Sequence, residues 1–508
     1  MATEQKNYRS IFKATAILGS VQLFNIIVGI IRNKIVSMIL GPSGMGIVGL
    51  LTSSTATVTG FTNCGVAASS VKNVAMAYEK EDFTLLGKVI YTLKRLVTFT
   101  GCLGALIVLV FSSKLSQWSF GNEDFTISFA CLSISVLFTE MTNILNTIVK
   151  GCRRIKYYAK ANVLGNLMSL FITIPLYYLW GKDAIVPVLI LLSVSTFVFA
   201  YHYERKLGIK EVKATKEEQK AISIDVLKMG LPLAASEIFP IMASYLIRLN
   251  ISLHGGVEDV GLYSAGFAML NGYVGMIFTA MSSDFIPRLS AICDDNKACE
   301  DTINSQVVLS ILILFPILLA LIAFGKLVVW ILYSSEFFPM TGMIYWGSLG
   351  MLWKTLNWCY GCVFVPKRDT KPYFSLSVLS AVVYLGVSVL FYNIWGVTGL
   401  GAAFLFSHTF DFSIAYIFIT RKYHIYLQRS IFAQMAVFTL CILVLIYMNT
   451  VLQMNLLYYS LEGLILIVAT IYSFKKLNSL IDLKGFIKTK FSLSLIHISE
   501  PTRHAQIS

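Results

Sequence analysis

Six charged side chains lie deep inside long apolar stretches of this sequence. They are Arg32, Glu140, Glu237, Arg248, Lys354 and Asp411. A charge left in lipid costs roughly 3 kcal/mol, so all six would cost on the order of 18 kcal/mol. Most of them are therefore expected to face a water-filled cavity or to pair with an opposite charge. Cations at such depth suit an anionic ligand, because guanidinium and ammonium groups donate hydrogen bonds to phosphate oxygens.

The acids among them could bind a proton or a sodium ion. Glu237 stands between Pro232 and Pro240, a pattern typical of a kinked helix. Arg248 follows Glu237 by eleven residues, which is close to three helical turns, so the two would share a face. Two interpretations stay open for Glu237: an ion-coupling site that resets a carrier, or a static ion pair with Arg248.

Two further sets of polar residues also allow either a functional or a packing interpretation. The fourth predicted helix carries one polar face, made of Glu140, Asn143, Thr147 and Lys150. This face either lines the inner mouth of a cavity or packs against a neighbouring helix. His408 precedes Asp411 by three residues, so the pair is either a proton relay or a packing histidine beside an acid.

The composition predicts that these residues stand on membrane-spanning helices. Of 508 residues, 56% are hydrophobic and 13% are charged, whereas a soluble chain carries about 25% charged residues. Runs of roughly 20 apolar residues are long enough to cross lipid as helices, and they lack the alternation of strands. We predict about fourteen transmembrane helices, near 14–40, 44–71, 92–112, 126–149, 157–179, 184–204, 225–253, 258–283, 303–323, 341–365, 372–393, 397–420, 430–450 and 453–474.

The loops between these helices differ in charge. One side holds basic clusters at 72–88, 150–156, 206–220, 367–371 and 421–429, while the opposite loops hold little beyond Lys114, Lys182 and Lys326. By the positive-inside rule we expect a multi-pass membrane protein with both termini in the cytoplasm. The same rule explains the net charge of +14, so no nucleic-acid partner is expected.

Two motifs recur and predict an internal repeat. IRNKIVSMILGPSGMGIVGL at 31–50 resembles IRLNISLHGGVEDVGLYSAG at 247–266, and CRRIKYYAK at 152–160 resembles PKRDTKPYF at 366–374. The predicted organisation is a six-helix lobe at 1–204, a cytoplasmic linker at 205–224, a second six-helix lobe at 225–420, and two additional helices with a basic end at 421–492. Parallel repeats place a substrate path between the lobes, which is transporter architecture.

The last residues need a separate explanation. Residues 493–503 read LSLIHISEPTR, which matches one translated frame of a transposase adaptor used to prepare sequencing libraries. We interpret 493–508 as an artefact of sequence assembly; the alternative is a genuine polar tail.

Four segments resemble the Wzx-type polysaccharide flippases of the MOP superfamily, which includes lipid II flippases and MATE exporters. They are GIIRNKIVSMILGPSGMGIVGLL, KGCRRIKYYAKANVLGN, SDFIPRLS at 283–290 and LVVWILYSSEFFPMTGMI at 327–344. The resemblance extends to about residue 475. One departure is Asn33, which stands where related lipid II flippases have an acid, so peptidoglycan precursor is disfavoured as the main cargo.

The resemblance implies fourteen helices, alternating access and a cargo of undecaprenyl-diphosphate-linked oligosaccharide, such as an O-antigen repeat unit. A cargo diphosphate would need a polar surface between the lobes. Arg32 and Arg248 then become the predicted diphosphate clamp, with Lys354 and Lys34 as auxiliaries. Alternatively, Arg32 and Lys34 reach the outer interface and Arg248 balances Glu237. The ion-coupling candidates are Glu237, Glu140, Asp411 and His408, with membrane lipid and a polysaccharide polymerase as further partners.

Other functional classes fit the sequence less well. A membrane polysaccharide polymerase needs a substantial periplasmic loop, and the predicted loops on that side are short. No nucleophile triad or nucleotide-binding loop is present, and the one CxxC, Cys359 to Cys362, lies in a predicted membrane helix, so no enzyme activity, metal site or cofactor is expected. A MATE-like cation antiporter shares the architecture and is the main alternative, although it predicts an acidic, aromatic pocket.

Overall fold

The computed structural model describes residues 2–451 and 456–481, and these residues form helices without any strand. The tail at 493–508 lies outside them. The helices of the first half are α1 (Ala2–Asn63), α2 (Val66–Glu79), α3 (Phe83–Val110), α4 (Ser112–Phe120), α5 (Thr126–Gly151), α6 (Ile155–Trp180) and α7 (Ile185–Arg205). This confirms the all-α class.

The second half begins with one long helix and continues in the same way. Its helices are α8 (Lys216–Phe267), α9 (Met276–Ala291), α10 (Asn296–Ala323), α11 (Gly325–Leu332), α12 (Thr341–Gly361), α13 (Thr370–Tyr423), α14 (Arg429–Val451) and α15 (Leu456–Ile481). A π-helical turn, Ala268–Val274, joins α8 to α9. Eight helical segments of the described chain are long and apolar enough to cross a membrane.

Three of the helices are bent at a glycine. The bends lie at Gly41 in α1, Gly256 in α8 and Gly396 in α13, each at a positive φ that glycine adopts without strain. Each bent helix combines two of the predicted membrane segments into two arms. The predicted number of fourteen separate helices is therefore not confirmed, because a single glycine replaces the expected loop.

Two helix boundaries differ from the prediction. The helix expected from residue 225 begins at Lys216, because Thr215 and Glu218 form a reciprocal capping box that starts α8 inside the linker. The helix expected over 44–71 ends at Asn63, since Cys64 and Gly65 adopt positive φ and separate it from α2. The Thr-x-x-Glu pattern was a readable signal for the first of these boundaries.

The backbone repeats itself at a constant spacing. Gly41 and Gly256, Arg153 and Arg368, and Gly181 and Gly396 all have positive φ, and the members of each pair are 215 residues apart. The first two pairs fall within the motifs that predicted the repeat. The hydrophobic core divides in the same way: the largest cluster is drawn from residues 247–477 apart from Leu50, and two others come from 36–188 and 66–226.

The second arms of α1 and α8 cross at two glycines. A Cβ placed on Gly46 would lie 1.8 Å from the carbonyl oxygen of Val257, and one on Gly261 would lie 1.9 Å from that of Pro42. The contact is reciprocal, because Pro42 and Val257 are also 215 residues apart, as are Gly46 and Gly261. We call these four residues the glycine crossing. It allows the two halves to touch backbone to backbone.

Candidate functional site

Two cavities lie on either side of the first arm of α8. The first cavity, about 400 Å³, lies among α1, α5 and α7 of the first half and the first arm of α8. The second cavity, about 580 Å³, lies among α8, α12 and α13 of the second half. Both fall in or near the range of roughly 300–1,000 Å³ that small-molecule sites occupy.

The second cavity collects three of the candidate residues predicted from sequence. Lys354 on α12 and His408 and Asp411 on α13 all line it. The Lys354 ammonium contacts the side-chain oxygen of Asn271 and lies 5.6 Å from the ring centroid of Phe404. Lys354 forms no ion pair with any described residue, so its charge is available to an anionic ligand.

His408 and Asp411 do not form a direct hydrogen bond. Their closest atoms, His408 Nδ1 and Asp411 Oδ2, are 3.8 Å apart, and the Ser380 hydroxyl donates to the other Asp411 oxygen at 2.6 Å. His408 Nδ1 is buried and lacks a hydrogen-bond partner among the described residues. The predicted proton relay is thus not assembled in this conformation. Ser380 and Asn271 belong to the site and were missed, since neither stands out among the many polar residues of apolar helices.

Arg248 lies at the edge of the second cavity rather than in it. Its guanidinium donates to the carbonyl oxygen of Ser244 at 3.0 Å and to the hydroxyl of Ser264 at 3.3 Å, and it lies 5.1 Å from the ring centroid of Tyr263. Ser244 itself lines the cavity. Arg248 makes no ion pair with Glu237 within the described part of the chain. The static-pair alternative is therefore not found in this conformation.

The polar residues of the first arm of α1 reach across to the second half. The Asn33 amide donates to the Tyr273 hydroxyl at 2.9 Å. The Lys34 ammonium donates to the carbonyl oxygen of Trp330 at 2.6 Å and also to that of Tyr333, at the end of α11. A cation at a helix carboxyl end is favoured by the helix dipole. Lys34 thus ties the two halves together here.

Arg32 has no comparable contact. It is half-buried and forms no hydrogen bond or ion pair with a described residue. Neither Arg32 nor Arg248 is among the residues that line the two cavities. The structure therefore does not bring the two predicted clamp arginines into one pocket, and it places Lys354, predicted as an auxiliary, in the lining of the second cavity instead.

The first cavity is lined by both apolar side chains and hydroxyl and amide groups. Its polar lining residues are Thr52, Thr55, Thr59, Asn63, Ser135, Thr139, Ser193 and Glu237. Glu237 is the only charged one, and its side chain is exposed to the cavity. Three of the threonines recur at three- and four-residue spacing on α1, a helical face that is readable in the sequence but has no charged residue to single it out.

Glu140 is buried beside this cavity. Its residue is 1% exposed, and its two carboxylate oxygens accept hydrogen bonds from the hydroxyls of Thr62 at 2.6 Å and Thr100 at 2.9 Å. No described cation pairs with it. Glu140 therefore packs between helices of the first half, and it does not share an exposed stripe with Asn143 and Lys150.

Ion pairs anchor the segments that carry the basic clusters. Lys94 on α3 contacts Glu204 and Glu211, each at 2.8 Å, and Lys88 contacts Glu218 at 2.6 Å. The hydrogen bond from Lys88 lowers the pKa of Glu218 below its usual range. These contacts hold the linker against α3.

The bent-helix fold that encloses these cavities is shared with solved structures of membrane transporters. A lipid II flippase, MurJ, in an inward closed conformation has the same fold, with a TM-score of 0.72, 12% identity, and coverage of 91% of this chain and 99% of that one. An inward-facing multidrug resistance MATE family transporter of the MOP superfamily gives a TM-score of 0.67 at 15% identity, and 81% of this chain covers 98% of it. The chain therefore has the fold of these MOP-superfamily transporters, and eight of its described helical segments could cross a membrane.

Sequence comparison gives the family. A family model described as polysaccharide biosynthesis protein matches residues 35–341, and this chain belongs to that family. The chain is also similar to the lipid III flippase of Escherichia coli (strain K12), with 19% identity over 416 residues, which are 80% of this chain and 97% of the relative. The resemblance to polysaccharide flippases of the MOP superfamily is thereby confirmed.

Proposed function

We propose that this protein is a flippase that moves an undecaprenyl-diphosphate-linked oligosaccharide, an O-antigen or other surface polysaccharide repeat unit, from the cytoplasmic to the periplasmic leaflet of the inner membrane. The observation that carries this proposal is the unpaired Lys354 in the second cavity, opposite a cavity whose polar lining groups are uncharged apart from Glu237. A diphosphate needs a cation, and a sugar needs hydrogen-bonding groups, if both are to leave water. The relation to a lipid III flippase supports the same cargo class.

Alternating access between two lobes, 1–204 and 225–420, is the proposed mechanism. The glycine crossing and the contacts of Lys34 join the halves near the ends of the helices that lie opposite the basic clusters. With both termini in the cytoplasm, these contacts close the outer side, and cargo enters from the inner leaflet. Arg248 and Arg32 would then contact the diphosphate as it passes from Lys354 toward the outside.

The orientation is testable with reporters. Fusions after residues 155, 213 and 369 are expected on the cytoplasmic side, because the basic clusters stay inside, and fusions after 121 and 394 on the periplasmic side. The readout is alkaline phosphatase against green fluorescent protein activity. A periplasmic signal at residue 213 would overturn the arrangement of the two lobes.

Ion coupling is assigned first to Glu140, with Glu237, Asp411 and His408 as further candidates for proton or sodium binding. The Glu140→Gln variant keeps an oxygen to accept a hydroxyl hydrogen bond but cannot exchange a proton or hold a cation. We expect glycan display to fall to the level of an empty vector while protein abundance stays normal. The matched control is Glu123→Gln, an exposed acid in a loop. Full display by Glu140→Gln would remove Glu140 from the coupling mechanism.

Cargo identity is tested by complementation. Expression of this chain in a strain that lacks its own O-antigen flippase is expected to restore surface glycan, measured by lectin or antibody labelling. Increased tolerance to organic cations without restored glycan would instead support a MATE-like antiporter. A polysaccharide polymerase remains a proposed partner, to be sought by co-purification from the restored strain.

A further inference from the structure

A third cavity adjoins the first one and has an unusual lining. This asparagine pocket, about 270 Å³, lies among α5, α6 and α7, and Thr139 lines both it and the first cavity. Its lining residues are Thr139, Thr142, Asn143, Asn146, Ala161, Asn162, Asn166, Thr196 and Ala200, none of which is charged. The pocket therefore continues the uncharged polar surface of the first half toward the end of α5 that carries Lys150.

The hydrogen bonds of the pocket leave a defined set of groups free. The hydroxyls of Thr139, Thr142 and Thr196 donate to backbone carbonyls of their own helices at 2.7, 2.7 and 3.1 Å, so their oxygens remain as acceptors. The amides of Asn143 and Asn146 form no hydrogen bond with any described residue, and each amide offers two donors and an acceptor. The pocket thus presents both donors and acceptors.

Packing between helices does not explain these free amides. Asparagine in a membrane helix is costly unless it bonds across a helix interface or faces a polar ligand. Asn166 does bond across, from its amide to the Asn25 oxygen at 2.9 Å, and Asn162 bonds to the carbonyl of Tyr158 on its own helix at 3.0 Å. Asn143 and Asn146 do neither. Their position at four- and seven-residue spacing from Thr139 turns them to the same helical face.

The asparagine pocket and the second cavity differ in charge, so they suit different parts of a ligand. Phosphate binding requires a cation, which the asparagine pocket lacks and the second cavity has in Lys354. Hydroxyl and amide groups of a neutral sugar match an uncharged mixture of donors and acceptors, because each buried polar group then finds a partner.

We propose that the asparagine pocket is a glycan-recognition subsite, which binds hydroxyl and acetamido groups of the cargo sugars while the diphosphate stays at the cations of the second half. This proposal rests on the proposed flippase function and adds where the sugar is read. Asn143 and Asn146 are the specificity-determining residues, and Asn162 and Asn166 supply the fixed wall.

The test measures binding of two probes to the purified full-length protein in nanodiscs by native mass spectrometry. The probes are undecaprenyl diphosphate and undecaprenyl-diphosphate N-acetylglucosamine. The double variant Asn143→Leu with Asn146→Leu keeps the branched shape of the side chains, with a larger volume, but removes the amides. We expect it to lose roughly tenfold or more in affinity for the sugar-bearing probe, as two lost hydrogen bonds would give, and to bind the sugar-free probe like the wild type.

Two controls keep the result specific. Asn393→Leu replaces an exposed asparagine of α13 outside the cavities and is expected to change neither affinity. Asn146→Gln keeps an amide and is expected to retain more sugar-dependent binding than Asn146→Leu, which a packing role would not produce. An equal loss for both probes, or no loss for either, would overturn the glycan subsite. A wild-type protein that binds neither probe would refute the flippase function itself.

Discussion

Replacing Gly46 or Gly261 by alanine is expected to abolish glycan display while leaving the protein in the membrane. The new Cβ would lie 1.8 Å from the Val257 carbonyl oxygen in the first variant and 1.9 Å from the Pro42 carbonyl oxygen in the second. Both partners are backbone atoms, so no side chain can move aside, and the two arms must separate. Overpacking of this kind costs about 1–3 kcal/mol, which shifts a conformational equilibrium by roughly fivefold to more than a hundredfold.

The expected loss follows from the transport cycle. If the glycine crossing closes the outer side, a transporter that cannot close it stays open outward and no longer takes cargo from the inner leaflet. Gly386→Ala is the matched control, because a Cβ on Gly386 meets no atom within 4 Å. The measurement is surface glycan in the flippase-null strain, corrected for membrane abundance of each variant. Normal display by Gly46→Ala at normal abundance would show that the crossing does not need to close.

Neutralising Lys354 is expected to give the second large effect. In the second cavity its ammonium faces an amide and aromatic rings, and no described acid balances it. Lys354→Gln removes a charge-assisted contact to the diphosphate worth about 1.5–3 kcal/mol, so cargo affinity should fall by roughly tenfold or more. Lys354→Arg keeps the charge in a larger group and should lie between wild type and Lys354→Gln. Lys326→Gln, an exposed cation outside the cavities, is the control.

Variants of Arg248 distinguish a role in cargo binding from a structural role. Arg248→Gln should also weaken binding of undecaprenyl diphosphate, and adding Glu237→Gln should not restore it, because Arg248 contacts Ser244 and Ser264 and not Glu237. Affinity is measured on purified variants, and display is measured in cells. Rescue by the double change would support the ion pair between Arg248 and Glu237. Unchanged affinity in both Lys354→Gln and Arg248→Gln would contradict a cationic diphosphate site.

Much of the architecture could be predicted from local features of the sequence. Long apolar runs require helices, because lipid offers no hydrogen-bond partner to a bare backbone. The similarity between 31–50 and 247–266 predicted a repeat. In the structure, positions of positive φ recur 215 residues apart. These features depend on residues near one another in the chain. The bends at Gly41, Gly256 and Gly396 were missed as bends, since a glycine between two apolar runs is also what a short loop would contain.

The candidate site was only partly predictable, because its composition depends on which helix faces pack against each other. Counting 100° per residue put Glu237 and Arg248 on one face, but that count assumes an unbroken helix, and Pro240 lies between them. In the structure Glu237 lines the first cavity while Ser244, beside Arg248, lines the second.

Hydropathy, spacing and residue type can be read along the chain, so the sequence alone predicted the membrane-spanning helices, the repeat and the costly charges at depth. Which of these charges share a cavity became visible only in the packed structure. Lys354 meets His408 and Asp411 because α12 packs on α13, and Lys34 meets α11 because the arms of α1 and α8 approach at the glycine crossing. Such meetings depend on packing between distant segments, which no local pattern encodes.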